Sequence, residues 1–271
     1  MSAVPGTVVV TGAAGGMGKP AAIRFASRGH SLLLCDLHAE PLEVLASVLR
    51  GTGVKVDILA GDIAAPDFPQ QILDKLGETP ISALIHTAGL SPTMADVDRI
   101  FAVNYDATEK LLAGLLPRFS QGACAVLISS VSAYMLSDPA MLGAIRKFVA
   151  TGHREEIAPY MTNPGISYAI SKKAVIHMVE REAAPFGAMG IRIVSVAPGF
   201  IDTPMGKAEA ESNEQLRAMI GMVPQGRMGH GDEIASVVEF LCSNGASYIS
   251  GTDIRVDGGI VGHLGMMHAG K

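Results

Sequence analysis

Thr7-Val8-Val9-Val10-Thr11-Gly12-Ala13-Ala14-Gly15-Gly16-Met17-Gly18 opens the chain with an uncharged apolar run that breaks into a glycine-rich turn. A helical pattern over 17–28 follows, so the stretch reads as strand, tight turn and helix. Pro20 falls in the first turn of that helix, where a missing N–H is tolerated. Glycines at 12, 16 and 18 permit a sharp turn, close backbone approach to a pyrophosphate and tight helix packing, while the helix N-terminus favours the anion. Asp36 stands 18 residues beyond Gly18, close to the ~20 expected of a carboxylate that accepts from ribose hydroxyls. A carboxylate there repels a 2′-phosphate. No Lys or Arg adjoins it, since Leu37 and His38 follow, and Gly15 fills a turn position where a basic side chain could sit. These residues favour NAD(H) over its phosphorylated relative. The alternative is that Asp36 only caps the next helix.

The rest of the chain repeats the alternation. Apolar strands are expected at 31–35, 54–59, 81–86, 123–128, 191–196 and 253–256, with helices at 40–49, 68–76, 97–119, 168–184 and 232–241. Continuous apolar strands separated by helices indicate a parallel sheet covered on both faces. We therefore expect an α/β protein with a doubly wound, seven-stranded parallel sheet in a single domain over 1–271. Asp36, Asp62, Ala88-Gly89, Ser130 and Pro198-Gly199 all follow strand C-termini, the edge at which open α/β sheets bind ligands.

Composition narrows the function classes. The 271 residues are 48% hydrophobic and 17% charged, with a net charge of −5 and no basic cluster, which argues against nucleic acid or an anionic membrane as partner. Cys35, Cys124 and Cys242 match no zinc spacing, and their odd number argues against a disulfide framework. Cys35 and Cys124 fall in apolar runs and read as buried thiols. No grouping of His, Cys and acidic residues indicates a metal. No charged leader precedes a long apolar segment, so a soluble cytoplasmic protein is expected.

Tyr168-Ala169-Ile170-Ser171-Lys172 supplies the chemistry. Four residues apart on a helix, a phenol and an ammonium share one face. A phenol with an ordinary pKa near ~10 is a poor acid or base at neutral pH, and a neighbouring cation favours the phenolate. Such a pair can move a proton to or from an alcohol oxygen. His86, at a strand end, reads as a structural histidine.

Together, Thr11–Gly18, Asp62-Ile63, Thr87-Ala88-Gly89, Asn104, Ser130, Tyr168/Lys172, Pro198-Gly199 with Thr203, and Val256-Asp257-Gly258-Gly259 resemble the short-chain dehydrogenase/reductase family in its single-domain branch. The resemblance implies a Rossmann fold and a role for each matching residue. Tyr168 is the general acid/base, Lys172 lowers its pKa and binds the nicotinamide ribose, and Ser130 hydrogen-bonds the reacting oxygen. Asn104 holds a water that links Lys172 to solvent. Gly12, Gly15, Gly16, Met17 and Gly18 cradle the pyrophosphate, Asp36 and Leu37 meet the adenosine ribose, and Asp62 and Ile63 flank the adenine. Ala88 and Gly89 line the ribose, and Pro198, Gly199, Ile201 and Thr203 border the nicotinamide. Ser129 is the rival to Ser130, which is preferred because relatives place the serine just before a short turn such as Val131-Ser132.

One departure stands out. Ser130 and Tyr168 are separated by 37 residues, whereas most relatives have about a dozen there, so roughly 25 are inserted, longer than an ordinary connection. The segment 131–167 includes an amphipathic stretch over 140–150 and the charged Arg154-Glu155-Glu156. With this insertion the chain looks like the bacterial 3α-hydroxysteroid dehydrogenase/carbonyl reductase subgroup. That likeness implies NAD(H), a small-molecule substrate (a secondary alcohol or ketone on an apolar, cyclic body) and a homodimer, since an insertion before the Tyr-bearing helix obstructs the packing that builds tetramers. Met205, Met219, Met222 and Met228 fall where the family's substrate loop lies, and the tail 263–271 covers a pocket or frays. The alternatives are a 3-oxoacyl-type reductase, disfavoured by Asp36 and by the insertion, and a non-catalytic dinucleotide-binding regulator, disfavoured by retention of Ser130, Tyr168, Lys172 and Asn104.

Overall fold

The computed structural model describes residues 4–212 and 214–269. In chain order the strands are β1 (Thr7–Thr11), β2 (Ser31–Asp36), β3 (Val56–Ala60), β4 (Ile81–His86), β5 (Phe119–Ile128), β6 (Arg192–Pro198), β7 (Ile201–Asp202), β8 (Gly229–His230) and β9 (Thr252–Val256). The helices are α1 (Gly18–Ser27), α2 (Ala39–Arg50), α3 (Phe68–Leu76), α4 (Val97–Phe101), α5 (Ala107–Leu115), α6 (Pro139–Thr151), α7 (Pro164–Ala188), α8 (Pro204–Ser212), α9 (Glu214–Gly221), α10 (Gly231–Cys242) and α11 (Ile260–Ala269). Seven strands form one sheet in the order β3-β2-β1-β4-β5-β6-β9, and every pairing in it is parallel. The expected doubly wound α/β sheet is thus observed, and β7 and β8 pair separately beside it.

Side chains alternate across a strand, and here both sides are buried. In β1, Val9 packs with Leu33, Phe68, Tyr105 and Met178 in one core, whereas Val8 and Val10 pack with Phe25, Leu42, Ile234 and Val238 in the other. Helices α3, α5, α6 and α7 cover the first face and α1, α2 and α10 the second. Apolar residues are therefore favoured on both faces of the inner strands, which is why these strands read as largely apolar runs.

Three elements differ from expectation. Helix α7 starts at Pro164, four residues before Tyr168. Asn163 caps it by accepting from Ile166 N–H at 3.0 Å, and Pro164 takes the first helical position, where proline fits; Asn-Pro-Gly reads locally as a turn, so this start is hidden. The helix expected over 97–119 is α4, a π-helical turn (Ala102–Asp106) and α5, after which the chain enters β5 at Phe119. The tail forms α11, whose Ile260, Val261 and Leu264 pack with Val131, Phe200, Met222 and Val223; Gly270 and Lys271 lie outside the described residues.

The segment 131–167 is docked rather than loose. Asp138 caps α6 by accepting from Ala140 N–H at 2.9 Å, and Ile145, Phe148, Val149 and Ile157 are buried. The Phe148 ring lies 5.0 Å from Tyr105 and 5.6 Å from Phe101. The Arg154 guanidinium sits 4.1 Å over the Phe101 ring and bonds Asp106 at 2.7 Å. Phe148→Ala should cost about 3–5 kcal/mol through lost transfer and a residual cavity, read as a lower urea midpoint.

Buried His86 ties β1 to the π-helical turn. Thr108 Oγ1 donates to Asn104 O at 2.9 Å, so at its 2.8 Å contact with His86 Nε2 it accepts. His86 Nδ1 then accepts from Thr11 Oγ1 at 2.7 Å, which defines a neutral imidazole protonated at Nε2. Burial, with the Lys172 ammonium adding, pushes the His86 pKa down to about 3. Between that value and the ordinary ~6.5 only the unfolded chain binds this proton, so the stabilisation is full above ~6.5 and falls as pH drops, by up to about 1.4 kcal/mol per unit. His86→Gln should remove that part of the slope; urea titrations of both proteins at pH 7, 5.5 and 4.5 measure the difference.

Candidate functional site

Among the cavities at the C-terminal edge of the sheet, two share walls around the residues singled out from the sequence. The larger, a groove of about 440 Å³, is lined by Gly12, Gly15, Gly16, Met17, Asp36, Leu37, Asp62, Ile63, Ala88, Gly89 and Thr203. The smaller, of about 90 Å³, is lined by Ser130, Tyr168, Pro198, Gly199, Ile201 and Thr203. Met17, Thr203 and Met205 border both. Three of the residues singled out from the sequence line neither cavity: Gly18, Asn104 and Lys172 lie behind them.

The glycine turn is built to be approached. Gly12 has φ +65°, and a Cβ there would come within 2.7 Å of Ala88 N. A Cβ on Gly18 would overlap the Gly12 carbonyl, so α1 and the turn are in backbone contact. A side chain at Gly15 would meet only the Gly12 carbonyl, at 3.1 Å. No side chain caps the N-terminus of α1, an arrangement that a phosphate group completes. The Asp36 carboxylate accepts from Ala14 N–H at 2.9 Å and Leu37 N–H at 2.7 Å, which holds it at the end of β2 on the groove wall. The residues present therefore fit a dinucleotide: glycines and α1 for its pyrophosphate, Asp36 for a ribose.

Behind the small cavity, Lys172 is buried, donates to Ile128 O at 2.9 Å and has its Nζ 5.7 Å from the centre of the Tyr168 ring. Burial lowers the Lys172 pKa to about 8. Asn104 sits in the π-helical turn, where Oδ1 accepts from Leu90 N–H at 2.8 Å and Nδ2 donates to Leu90 O at 3.0 Å. A Cβ on Gly89 would lie 3.1 Å from Asn104 Oδ1 and 3.5 Å from Lys172 Nζ, so glycine keeps that wall close to both groups. Ser129 and Ser130 diverge. Ser129 Oγ donates to Asp253 at 2.6 Å, with Val196 O 3.0 Å away, whereas Ser130 Oγ accepts from Ser132 N–H at 3.2 Å beside the cavity.

Sequence reasoning missed part of the lining. Phe68, Met94, Arg99 and Val103 border the groove, and Arg99 donates to Asp62 at 2.6 Å; these lie on helices and loops with no motif of their own. Phe200, Leu216 and Ile220 border the small cavity. Of the four methionines, Met205 and Met228 line it, Met222 packs against α11 instead, and Met219 is not among the lining residues. Among the described residues no group of three or more His, Cys, Asp or Glu could hold a metal ion, and no helix is long and apolar enough to cross a membrane.

Comparison with known proteins agrees with this geometry. Residues 6–141 match the family profile described as short chain dehydrogenase, and residues 155–261 match that of enoyl-(acyl carrier protein) reductase. A 3-alpha-hydroxysteroid dehydrogenase/carbonyl reductase of Comamonas testosteroni is 30% identical over 261 residues, covering 93% of this chain and 95% of that protein. A 3-oxoacyl-(acyl-carrier-protein) reductase of Thermotoga maritima is 28% identical, covering 93% and 96%. The crystal structure of a 3-alpha-hydroxysteroid dehydrogenase from Pseudomonas sp. B-0831 complexed with NADH superposes with a TM-score of 0.77 at 26% identity, covering 98% and 99%. The chain belongs to the short-chain dehydrogenase/reductase family, oxidoreductases of alcohol and ketone groups that bind a nicotinamide dinucleotide.

Proposed function

We propose that the chain is an NAD(H)-dependent oxidoreductase that interconverts a secondary alcohol and a ketone on an apolar, cyclic substrate. The observation that carries this is the single cavity shared by Ser130 and Tyr168, open to the glycine groove and backed by the buried Lys172 amine. A bound nicotinamide supplies the hydride chemistry. Ser130 donates a hydrogen bond to the substrate oxygen. Tyr168 takes the hydroxyl proton during oxidation and returns it during reduction. The Lys172 ammonium stabilises the phenolate, and Asn104 orders the proton path behind it. Asp36 selects NAD(H): its carboxylate faces the place of a ribose, and a 2′-phosphate there would meet a like charge. Arg99, a cation on the same groove, is already paired with Asp62.

The apolar cavity wall (Phe200, Ile201, Leu216, Ile220) favours a hydrocarbon ring. We read 131–167 as an insertion within one domain over 1–271. Its α6 packs on α7 with Ile145, Phe148 and Val149 inward, which supports a homodimer over a tetramer. The Thermotoga relative keeps a 3-oxoacyl-type reductase as the second reading, one that would prefer NADPH and an acyl thioester.

Absorbance of reduced nicotinamide, followed with NAD and then NADP against steroid, monoterpene and aryl secondary alcohols, should show NAD-dependent turnover of a ring alcohol. Turnover confined to NADPH with acetoacetyl thioester would favour the second reading. Tyr168→Phe should lose ~10²–10⁴-fold in turnover while NADH fluorescence still reports binding; a Tyr168→Phe protein of undiminished activity excludes the mechanism. Asp36→Ala should narrow the preference for NAD by at least about tenfold, the effect of roughly 1.4 kcal/mol. Light scattering is expected to give the mass of a dimer.

A further inference from the structure

Asp253 lies on β9, an edge strand of the sheet, and its carboxylate collects hydroxyls from three other parts of the chain. Ser129 Oγ donates to Oδ1 at 2.6 Å, the fully buried Ser195 donates to the same oxygen at 2.5 Å, and Tyr134 OH donates to Oδ2 at 2.8 Å. The Tyr134 ring has Lys173 Nζ 5.5 Å and Arg255 Cζ 5.4 Å from its centre. Burial, together with its bond to Asp253, raises the Tyr134 pKa above its ordinary value, so the phenol stays a neutral donor.

These contacts bracket one turn. Ser130 is the N-cap of the 3₁₀ turn Val131–Tyr134, with Ser129 immediately before it and Tyr134 its last residue. Asp253 lines neither the groove nor the small cavity. It therefore grips both ends of the turn that presents Ser130 without reaching the reacting atoms. The Ser129 backbone N–H donates to Val196 O at 2.8 Å, and the hydroxyl, once released by the carboxylate, has the same carbonyl at 3.0 Å, so Ser129 stays anchored if the carboxylate is lost. Asp253 is the hydrogen-bond acceptor that the structure gives the Tyr134 phenol, so the far end of the turn depends on it more.

We propose that Asp253 is a positioning residue for the reaction, holding the Ser130 turn through Ser129 and Tyr134 so that the Ser130 hydroxyl stays beside Tyr168. The proposal rests on the role given to Ser130 above.

Three variants, Asp253→Ala, Asp253→Asn and Tyr134→Phe, test it against Ser130→Ala. Turnover is read with NAD and the panel alcohol that the wild type oxidises fastest, NADH binding by fluorescence, and local order by amide hydrogen exchange of the full-length protein. Asp253→Ala should lose at least about tenfold in kcat with the NADH dissociation constant within about twofold, since a small misplacement near the chemistry is costly. Amides over 131–135 should exchange faster while those of β1 do not change. Asp253→Asn keeps an acceptor and should recover most of the turnover. If Asp253→Ala does not fold, Tyr134→Phe removes one hydroxyl only and should show the same local loosening and a smaller loss of kcat. Full turnover in Asp253→Ala or, where only it folds, in Tyr134→Phe, with Ser130→Ala inactive, overturns the proposal alone. Faster exchange spread evenly over the sheet overturns it too, since the role is then structural. An active Ser130→Ala overturns the reading of Ser130 and the proposal with it.

Discussion

Strands β1 and β4 are neighbours in the sheet, yet the chain leaves β1 toward one edge and β4 toward the other. The connection from β1 leads through α1 to β2, and that from β4 leads through α4 and α5 to β5. Two connections that depart in opposite directions from adjacent strands cannot fill the space between them, and a crevice opens at the carboxyl ends. The groove lies in that crevice, with Gly12 after β1 and Ala88 and Gly89 after β4 on its walls. Everything placed around it follows from this reversal: Asp36 arrives at the end of β2 and Ser130 just beyond β5. The close approach of Gly12 to Ala88 N shows how tightly the two departing chains are pressed at their origin.

The same region concentrates the electrostatic tension of the molecule. A buried ammonium is costly unless it is paired, and Lys172 has a carbonyl, Ile128 O, as its hydrogen-bond partner. Burial accordingly pulls its proton affinity down toward neutral pH, the kind of shift that marks a candidate functional group. His86 shows the opposite solution in the same neighbourhood. It is buried between two threonines with both ring nitrogens satisfied in the neutral form, and the nearby Lys172 charge reinforces that state. Lys172 keeps an ammonium bonded to a carbonyl, whereas His86 stays neutral and holds the backbone carbonyl of Asn104 in register through Thr108.

Most of the sheet was legible because its inner strands, such as β1, β4 and β6, are buried on both faces and so leave apolar runs bounded by turn residues. The ligand edge was legible for a related reason: polar residues at strand ends, such as Asp36 and Ser130, are abrupt in an apolar context. Features built from distant partners were not legible. The bonds that join Asp253 to Ser129 and Ser195 span 124 and 58 residues of sequence, and no local pattern records them. The π-helical turn at Asn104 looks like an ordinary helix in sequence, because its one extra residue per turn changes hydrogen bonding rather than composition. The short β7 and β8 pair has two residues in each strand, too few for any periodicity. Arg99 escaped for want of a motif: its place on the groove follows from the way α4 leaves the loop after β4.

The connection between Ser130 and Tyr168 has a consequence for how this fold tolerates change. Closing a longer loop costs only about (3/2)RT ln of the length ratio, so tripling a connection of about a dozen residues costs roughly 1 kcal/mol. Burying even one side chain such as Phe148 more than offsets that. Because α6 docks through Ile145, Phe148 and Val149, the chain between the serine turn and the tyrosine helix is divided into two short tethers instead of one long floppy arc. Length at this point is thermodynamically nearly free. What constrains the stretch beyond the Ser130 turn is the few buried side chains through which α6 docks, so its outer face can diverge into new surfaces while the two hydroxyls it joins keep their places.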